Sequence, residues 1–333
     1  AQGDTKGALA AYQRSLDIAE ALARNDPSNA MAQRDVFVSL IKVGDIKAAQ
    51  GDTKGALAAY QRSLDIAEAL ARNDPSNAMA QRDVFVSLIK VGDIKAAQGD
   101  AQAALDAFQR SLDIAETLAR NDPSNAQAQR DLSVSLNQVG DIKAAQGDAQ
   151  AALGAYQRSL DILEALARDD PSNAQVQRDV SVSLNKVGDI KAAQGDTKGA
   201  LAAYQRSLDI AEALARDDPS NAEAQRDVSV SLDRVGDIKA AQGDAAGALA
   251  AFQRSLDILE ALARNDPSNA QALRDLVVSH SKLRQLATER AVQRHHASQM
   301  DRILSELEAR GAHISPSDRK RWEYLQQWLK DHP

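Results

Sequence analysis

A stripe of apolar residues at three- and four-residue steps marks the first of two segments that alternate along this chain. Val36, Leu40, Val43 and Ile46 fall on one face of a helix, which we expect to begin near Ala30. The alternation at the start of this stripe would also suit a short strand. Because the helical period continues through Ile46 and no strand partner lies nearby, the sequence predicts a helix.

The second segment predicts a helix over about residues 53–72. Its apolar face carries Leu57, Tyr60, Leu64, Ala67 and Leu70 or Ala71. Between the segments, Gly51 is typical of a left-handed helix end and Asp52 of a helix start, and a connection this short makes the two helices antiparallel. Gly44 lies inside the first helix, where glycine costs about 1 kcal/mol relative to alanine. We therefore expect a close helix crossing at Gly44, with Ala56 as its small counterpart.

The pair of segments repeats along the chain with a spacing of 48 residues. The tetrapeptide Ala-Gln-Gly-Asp begins at Ala1, Ala49, Ala97, Ala145, Ala193 and Ala241. A fixed period of this kind is typical of stacked repeat proteins, whose units pack only on their neighbours. We predict six tandem repeats over residues 1–288, beginning inside a repeat at its second helix. Residues 1–48 and 49–96 are identical, which suits an excised fragment, with further residues expected upstream, or a consensus-like engineered array.

The last unit departs from this pattern. Leu283-Arg284 replaces the Val-Gly pair, and Ala291-Val292 stands where the Gly-Asp turn is expected. Residues 289–333 are therefore predicted to form a degenerate last hairpin that ends at Gly311, followed by a final helix. That helix begins after Ser315, and Trp322, Leu325 and Leu329 lie on its apolar face. With one apolar and one polar face, it suits the end of a repeat array.

Several motifs together resemble the tetratricopeptide repeat. They are the Val43-Gly44 pair, the Gly51-Asp52 turn, Ala56 four residues before Tyr60, and Pro75 before the next helix. Leu40 and Lys47 stand where the family has Trp and Tyr. The unit exceeds the usual length of about 34 residues, which predicts two helices each lengthened by nearly two turns. The resemblance, which covers residues 1 to about 290, implies an all-α solenoid of antiparallel hairpins in a right-handed superhelix.

Composition narrows the possible functions. The chain has no cysteine, which excludes disulfides and thiol chemistry, and no apolar run of the roughly 18 residues that a membrane span needs. We expect a soluble, cytoplasmic protein. The net charge is −7, with the acidic excess in residues 97–240, so the chain lacks the basic stripe typical of nucleic-acid binding. A partner with basic residues suits this charge better.

The sequence contains no recognisable catalytic, cofactor or metal motif. All histidines follow residue 279: His280, His295, His296, His313 and His332. A metal site at His295-His296 and Asp301 is disfavoured because adjacent helical residues point about 100° apart, and a solvated turn is expected there instead. Ser63 and Asp65 recur without a histidine, which argues against a serine nucleophile. We expect Arg34, Asp35 and Arg62 to form ion pairs between or along helices.

Two positions of the first helix vary strongly between repeats. The first series reads Phe37, Phe85, Ser133, Ser181, Ser229 and Val277, and the second reads Ile41, Ile89, Asn137, Asn185, Asp233 and Ser281. They lie four residues apart and therefore on one helix face. Because a packed core would not accept Phe and Ser interchangeably, we expect both positions to be exposed. Drift at variable surface positions is the alternative explanation.

The resemblance implies that the first helices line a concave groove, apolar at its N-terminal end and acidic at its C-terminal end. The groove residues would be Phe37, Ile41, Asp45, Phe85, Ile89, Asp93, Asn137, Asp141, Asn185, Asp189, Asp233 and Asp237. These features favour a non-catalytic scaffold or sensor arm that binds a protein or peptide segment with basic residues. The alternative is a structural array that self-associates head to tail through its uncapped first helix.

Overall fold

The structure is a computed structural model that describes residues 5–311 and 314–332 of the 333-residue chain. The first Gly-Asp turn and His313 lie outside these ranges. The described residues form fourteen α-helices and no strand. In chain order the helices are α1 (Thr5–Asn25), α2 (Ala30–Ala49), α3 (Thr53–Asn73), α4 (Ala78–Ala97), α5 (Ala101–Asn121), α6 (Ala126–Ala145), α7 (Ala149–Asp169), α8 (Ala174–Ala193), α9 (Thr197–Asp217), α10 (Ala222–Ala241), α11 (Ala245–Asn265), α12 (Ala270–Leu286), α13 (Arg290–Ala309) and α14 (Pro316–Asp331).

Side-chain caps define the helix boundaries within each repeat. The side chain of Asn29 accepts a hydrogen bond of 3.0 Å from the backbone amide of Ala32, and that of Asp52 accepts one of 2.8 Å from Gly55. Gly51 ends α2 with a φ of 79°, a conformation that glycine adopts without strain. Both predicted helices are confirmed, and the residues that would suit a strand lie inside α2.

Consecutive helices pack on each other in two compact units, residues 1–170 with α1–α7 and residues 171–333 with α8–α14. In the first unit, α3 packs against both α2 and α4; in the second, α9 packs against α8 and α10. The predicted all-α solenoid of stacked hairpins is thus confirmed. The right-handed superhelix and the division at residues 288 and 289 stay predictions.

An aromatic ring lies directly on a glycine of the first helix in the five hairpins from α2–α3 to α10–α11. A Cβ atom added to Gly44 would lie 2.4 Å from Cε1 of Tyr60, and one on Gly92 would lie 2.3 Å from Cε1 of Phe108. The close crossing expected at Gly44 is therefore confirmed, but its counterpart is the ring of Tyr60. Ala56, one turn earlier, is also fully buried.

Buried serines connect each second helix to the first helix that follows it. Ser63 and Ser87 are both inaccessible to solvent, and their hydroxyl oxygens lie 2.8 Å apart. The same pair recurs between Ser111 and Ser135 at 2.9 Å. Small hydroxyl side chains let the two helices approach while their polar atoms stay hydrogen-bonded. The recurrence of Ser63 thus reflects packing rather than nucleophilic chemistry.

Ion pairs join neighbouring repeats, as the sequence predicts. Arg34 of α2 donates from Nε to Asp83 of α4 over 2.7 Å, and Asp83 is only 5% exposed. Arg62 of α3 pairs with Glu20 of α1 at 2.6 Å. The first of these contacts recurs at Arg82–Asp131, Arg178–Asp227 and Arg226–Asp275. Because removing one partner of a buried pair leaves an uncompensated charge, these contacts fix the order of the helices.

The C-terminal helices differ from the prediction in one place. α12 ends at Leu286, and α13 begins at Arg290, so Ala291 and Val292 lie in the first turn of α13 rather than in the connection. The last hairpin is otherwise present. Gly311, with a φ of 72°, follows its end.

The final helix, α14, closes the second unit. Its Ser315 cap accepts a hydrogen bond of 3.1 Å from the backbone amide of Asp318. Trp322 and Leu325 are buried against Ala297 of α13, and Leu329 packs beside them. Nε1 of Trp322 donates to Asp301 over 2.7 Å, which satisfies the only polar atom of its indole.

The ring contacts predict opposite effects for two glycine substitutions in one hairpin. In Gly140→Ala the new Cβ would lie 2.5 Å from Cε1 of Tyr156, and overpacking of this kind costs about 1–3 kcal/mol of unfolding free energy. Gly154→Ala has no atom within 4 Å of the new Cβ and should add about 0.5–1 kcal/mol through helix propensity. Urea denaturation followed by circular dichroism measures both, and equal stabilisation would contradict the close ring contact.

Candidate functional site

The predicted groove positions lie on the first helices, but several are buried instead of exposed. Phe37 is 4% exposed, Phe85 is 4% exposed, Ile41 is 8% exposed and Asn185 is 8% exposed. Ser133, Ser181 and Ser229 are also buried. The expectation that both variable series face solvent is therefore wrong at these residues, and the apolar end predicted for the groove belongs largely to the core.

The core position that is Phe in some repeats and Ser in others packs near a residue of the following second helix. That residue also differs in size between repeats, which lets the core accept either side chain. Phe37 shares a core cluster with Ala67, and Phe85 shares one with Ala115. In the repeat that contains Ser229, the position equivalent to Ala67 is Leu259, and both residues line the same cleft. In these repeats a large residue thus faces a small one, which keeps the packed volume similar, whereas Ser181 has the small Ala211 at the equivalent position.

The carboxylates predicted to make the groove acidic are mostly neutralised by the next repeat. Asp45 pairs with Lys90 at 2.8 Å, and Asp189 accepts two hydrogen bonds from Arg234 at 2.9 and 3.1 Å. Asp237 pairs with Lys282 at 2.5 Å. The first helices therefore do not present a free acidic surface. Acidic and basic side chains alternate on their exposed face.

Tyrosine hydroxyls donate to three of the predicted aspartates, Asp45, Asp141 and Asp189. Tyr60 donates to Asp45 over 2.8 Å, and Tyr156 donates to Asp141 over 2.6 Å. Tyr204 donates to Asp189 over 2.7 Å, and both burial and this hydrogen bond raise the pKa of Tyr204. The phenol therefore stays protonated as a donor, and the aspartate stays fixed between two helices.

Asp93 has neither an ion pair nor a hydrogen bond from a tyrosine among the described residues. Gln138 stands where the other repeats have a basic residue and donates from Nε2 to Asp93 over 2.8 Å, while Phe108 replaces the tyrosine. Desolvation raises the pKa of Asp93 to about 6, and the charge of Asp141 adds to this rise. Lys90 and the hydrogen bond from Gln138 lower it in part. The half-buried Ile89 and Asn137 lie one turn earlier on their respective helices.

The second unit contains an open cleft of about 490 Å³ on its first helices. Its polar wall includes three of the predicted site residues, Asp189, Asp233 and Asp237, together with Asp275, Arg234 and Lys282. Its apolar wall includes Val230, Leu259 and Val278. Val278 is 49% exposed. The cleft therefore combines an apolar surface with a group of closely spaced charges.

Asp233 is the carboxylate of this cleft that lacks an ion pair at close range. Its Oδ1 atom is buried and has no hydrogen-bond partner among the described residues. Desolvation raises the pKa of Asp233 to about 6, and the charges of Asp237 and Asp275 raise it further. The hydrogen bond from Ser255 and the charge of Lys282 oppose this rise. The side chain of Asp233 thus lines the cleft, while its Oδ1 atom is a buried acceptor without a hydrogen-bond partner among the described residues.

A smaller cavity of about 440 Å³ lies between α12, α13 and α14. Its lining is mainly apolar and includes Val277, Met300, Leu304, Trp322 and Leu325. Asp237, Val278 and Lys282 line both this cavity and the cleft. A bound segment that fills the cleft could therefore place an apolar side chain in the cavity.

The histidines form a structural pair rather than the expected solvated turn. His296 is 8% exposed in α13, and its Nδ1 lies 3.0 Å from Nδ1 of His280 in α12. Burial lowers the pKa of His280 to about 4 and also lowers that of His296. Asp301 is held by Trp322 and Gln326 instead. Within the described ranges, no three acidic or histidine side chains lie close enough together to hold a metal ion.

A tetratricopeptide repeat family model matches residues 83–165. Over these residues the chain resembles tetratricopeptide repeat proteins. The match spans most of α4 to α7, and the other repeats share the same sequence pattern. The two lengthened helices of the 48-residue unit are confirmed by the regular helix spacing. Among curated proteins, none matches this chain.

Several solved structures have a similar fold. BtubC (BKLC) from P. vanneervenii is 18% identical with a TM-score of 0.60, and the match covers 78% of this chain and 92% of that one. The S. pombe nuclear import adaptor Nro1 is 14% identical with a TM-score of 0.52, over 89% and 99% of the two chains. The apo form of RapI is 11% identical with a TM-score of 0.54, over 96% and 81%. Identities this low establish the fold alone.

Tetratricopeptide repeats generally serve protein interaction without catalysis, and the family match supports that general role here. None of the helices in the described part of the chain combines the length and apolar character of a membrane span.

The exchange of large and small core residues predicts energetic coupling between Phe85 and Ala115. Phe85→Ser alone should lower the unfolding free energy by about 3–5 kcal/mol, and Ala115→Leu alone by about 1–3 kcal/mol. The double variant should lose less than the sum because leucine fills the vacated volume. The reverse exchange, Ser229→Phe with Leu259→Ala, should couple with the same sign. Additive effects in denaturant titrations would contradict the shared volume.

The raised pKa of Asp233 predicts how stability changes with pH. The native carboxyl holds its proton more tightly than the unfolded one, so this group adds stability as the pH falls from above 6 towards 4 and destabilises the ionised native state at pH 7. Asp233→Asn, which places here the residue found at positions 137 and 185, should raise the unfolding free energy at pH 7 by on the order of 1–3 kcal/mol.

The advantage of Asp233→Asn should shrink towards pH 4 in denaturant titrations at several pH values. Asp257→Asn removes the same charge from an exposed position and is the matched control. A constant difference between wild type and Asp233→Asn across this range would show that the native carboxyl ionises as it does in the unfolded chain.

Proposed function

We propose that this chain is a non-catalytic scaffold that binds a protein segment along the first helices of its second unit. The segment carries a basic side chain that reaches Asp233 and a neighbouring apolar side chain that contacts Val278. The observation that supports this most directly is the Oδ1 atom of Asp233, a buried acceptor without a hydrogen-bond partner among the described residues, at the wall of an open cleft.

The charges of the cleft favour one basic side chain rather than a strongly basic segment. Asp189 and Asp237 already pair with Arg234 and Lys282, so they supply little net negative potential. Asp233 is the carboxylate that a ligand cation can neutralise. A basic group beside it would lower its pKa and recover the desolvation cost of the ionised form.

The apolar surfaces give the segment a second anchor. Val278 is exposed at the cleft, and the adjoining cavity is lined by Met300, Leu304 and Trp322. A peptide that places a large apolar side chain there would bury surface that water now covers, while its basic residue meets Asp233. This arrangement retains the predicted combination of apolar anchor and basic residue but moves both to the second unit.

The absence of catalysis is part of the proposal. Ser63, Ser111 and Ser207, which are recurring hydroxyls of the repeat, are buried and hydrogen-bonded to other serines. The recurring aspartates bridge helices through tyrosine and basic partners. These groups hold the array together, which leaves none of them placed as an activated nucleophile.

A displayed library of linear peptides, selected on the intact chain, tests this function. Recovered peptides should carry lysine or arginine near a large apolar residue. Asp233→Asn should weaken their binding by roughly tenfold in fluorescence anisotropy titrations, because the ligand cation loses its charged partner. The affinity for the wild-type chain should also fall as the pH drops below 6, since the carboxylate is protonated there.

Asp257→Asn is the control for the loss of one charge, because Asp257 is exposed on α11 and outside the cleft. Its affinity should match that of the wild type. Peptides that bind wild type and Asp233→Asn equally well would show that the cleft is not the binding site.

A further inference from the structure

Two open grooves of the first unit lie at the ends of the helices that the Asp-Pro-Ser-Asn connections join. The α3 groove, of about 960 Å³, lies between the N-terminal turns of α2 and α4, and the C-terminal half of α3 is its floor. The α5 groove, of about 770 Å³, has the same arrangement between α4 and α6, over α5. The N-terminal turn of α4 is therefore a wall of both grooves.

Met79 projects from this shared wall. It lines both grooves and is 56% exposed, although α3 and α5 both pack on α4. Met31 lines the opposite wall of the α3 groove. Methionine is unbranched and polarisable, so it adapts to partner surfaces of different shape. A large apolar side chain that stays exposed between complete repeats, at the edge of two grooves, indicates an interaction surface.

The floors of both grooves are apolar stripes along a helix. In the α3 groove the stripe consists of Ile66, Ala69 and Leu70, which are half-buried and lie three and four residues apart. The α5 groove has Ile114 and Leu118 at the equivalent places. A stripe with this spacing is the surface on which the apolar stripe of another helix packs. The grooves therefore suit a helical ligand.

The uncompensated charge of both grooves is negative. Three arginines line them, and each pairs with a carboxylate of the protein: Arg34, Arg62 and Arg82. Four aspartates line them, are exposed and have no ion pair among the described residues: Asp65 and Asp74 in the α3 groove, Asp113 and Asp122 in the α5 groove. Charge complementarity thus favours a ligand with basic side chains beside its apolar stripe.

The methionine walls are specific to the first two repeats. The later repeats have a polar residue at this position: Gln127, Gln175, Glu223 and Gln271. In the second unit, the equivalent groove of about 690 Å³ is lined by Gln175 and Glu223, and Glu223 pairs with Arg178 at 3.1 Å. The groove shape therefore recurs with the repeat, whereas the apolar walls occur only where the sequence has methionine.

We propose that the α3 and α5 grooves bind an amphipathic, basic helix of a partner protein. The apolar stripe of this helix packs on Met79 and on the floor of the groove, and its flanking lysines or arginines reach the unpaired aspartates. The α3 groove, with methionine on both walls, is the primary site. These grooves belong to the first unit, so the proposal does not depend on the cleft that contains Asp233.

A synthetic peptide of leucine and lysine, LKKLLKLLKKLLKL, is the probe for the intact chain. Fluorescence anisotropy should show saturable binding that weakens as salt is added, because exposed carboxylates contribute to it. A peptide with glutamate at every lysine position has the same apolar stripe and should bind at least tenfold more weakly. Equal affinity for both peptides, or no binding at millimolar peptide concentrations, would overturn the proposal.

Methyl-labelled methionine NMR locates the bound peptide, because the chain has only three methionines. Met31 and Met79 line the grooves, whereas Met300 lines the cavity beside the cleft of the second unit. Titration with the lysine peptide should shift the signals of Met31 and Met79. An unchanged Met79 signal at saturation would overturn the inference, and a shift of Met300 alone would place the peptide in the second unit.

Variants of Met79 test the apolar wall. Met79→Gln introduces the residue that later repeats have and should weaken the lysine peptide by about tenfold, whereas Met79→Leu should retain its affinity. Leu249→Gln removes an apolar side chain that is 51% exposed on α11 and is the matched control. Circular dichroism checks that all three variants stay folded. Unchanged affinity in Met79→Gln would contradict the proposed contact.

The charges are tested by the double variant Asp65→Asn with Asp113→Asn, which removes one unpaired carboxylate from each groove. It should weaken the lysine peptide several-fold at low salt and leave the affinity at high salt nearly unchanged. Asp257→Asn changes the equivalent, exposed position of α11 and should bind like the wild type. The same loss in Asp257→Asn would show attraction to the whole chain rather than to the grooves.

A second copy of the chain is the other possible occupant. Light scattering of the chain alone, at several concentrations, measures its mass. A mass that rises with concentration in the wild type but not in Met79→Gln would assign the grooves to self-association and overturn the proposal. A discrete mass together with peptide binding at Met79 supports it.

Discussion

The contact between an aromatic ring and a helical glycine controls the arrangement of the five hairpins from α2–α3 to α10–α11. With no side chain at Gly44, the ring of Tyr60 lies on the backbone of α2, and the two helices approach closely. This approach also brings the tyrosine hydroxyl to Asp45, which in turn pairs with Lys90 of the next repeat. A steric requirement inside one hairpin thus determines a charged contact between two hairpins.

Repeats that have phenylalanine keep the packing but lose the hydroxyl. Phe108 lies on Gly92 as closely as Tyr60 lies on Gly44, yet it cannot donate to Asp93. Asp93 then depends on the amide of Gln138, and desolvation raises its pKa. Electrostatic differences along this array therefore arise where a repeat departs from the shared network, as at Asp93 and Asp233, rather than from the residues that all repeats have in common.

The helices could be predicted from the sequence because their signals are local. Asn29, Gly51 and Asp52 act on backbone groups within a few residues, so their effect does not depend on the rest of the fold. The exposure of Phe37 could not be predicted in this way, because the space it fills is shared with Ala67 thirty positions later. A comparison of both positions across the repeats would have revealed the exchange of volume.

The predicted acidity of the groove is wrong for a similar reason. The basic partner of an aspartate lies 45 residues further along the chain, as Lys90 does from Asp45, so the residues around the aspartate do not reveal the ion pair. The signal was present, since five of the six repeats have a basic residue at this position. Buried serines such as Ser63 and Ser87, 24 residues apart within apolar stripes, were a further signal of close helix contact.

The ion pairs between repeats also bear on how the length of such an array can change. Arg34 reaches Asp83 in the next repeat, and Arg82 reaches Asp131 in the one after it, so α4 both donates to its successor and accepts from its predecessor. Insertion of one more 48-residue unit would create one new ion pair and would leave no buried charge unpaired. Gene duplication can therefore lengthen this protein by whole units without a penalty in stability. Residues 1–48 and 49–96 are identical, as two units are after such a duplication.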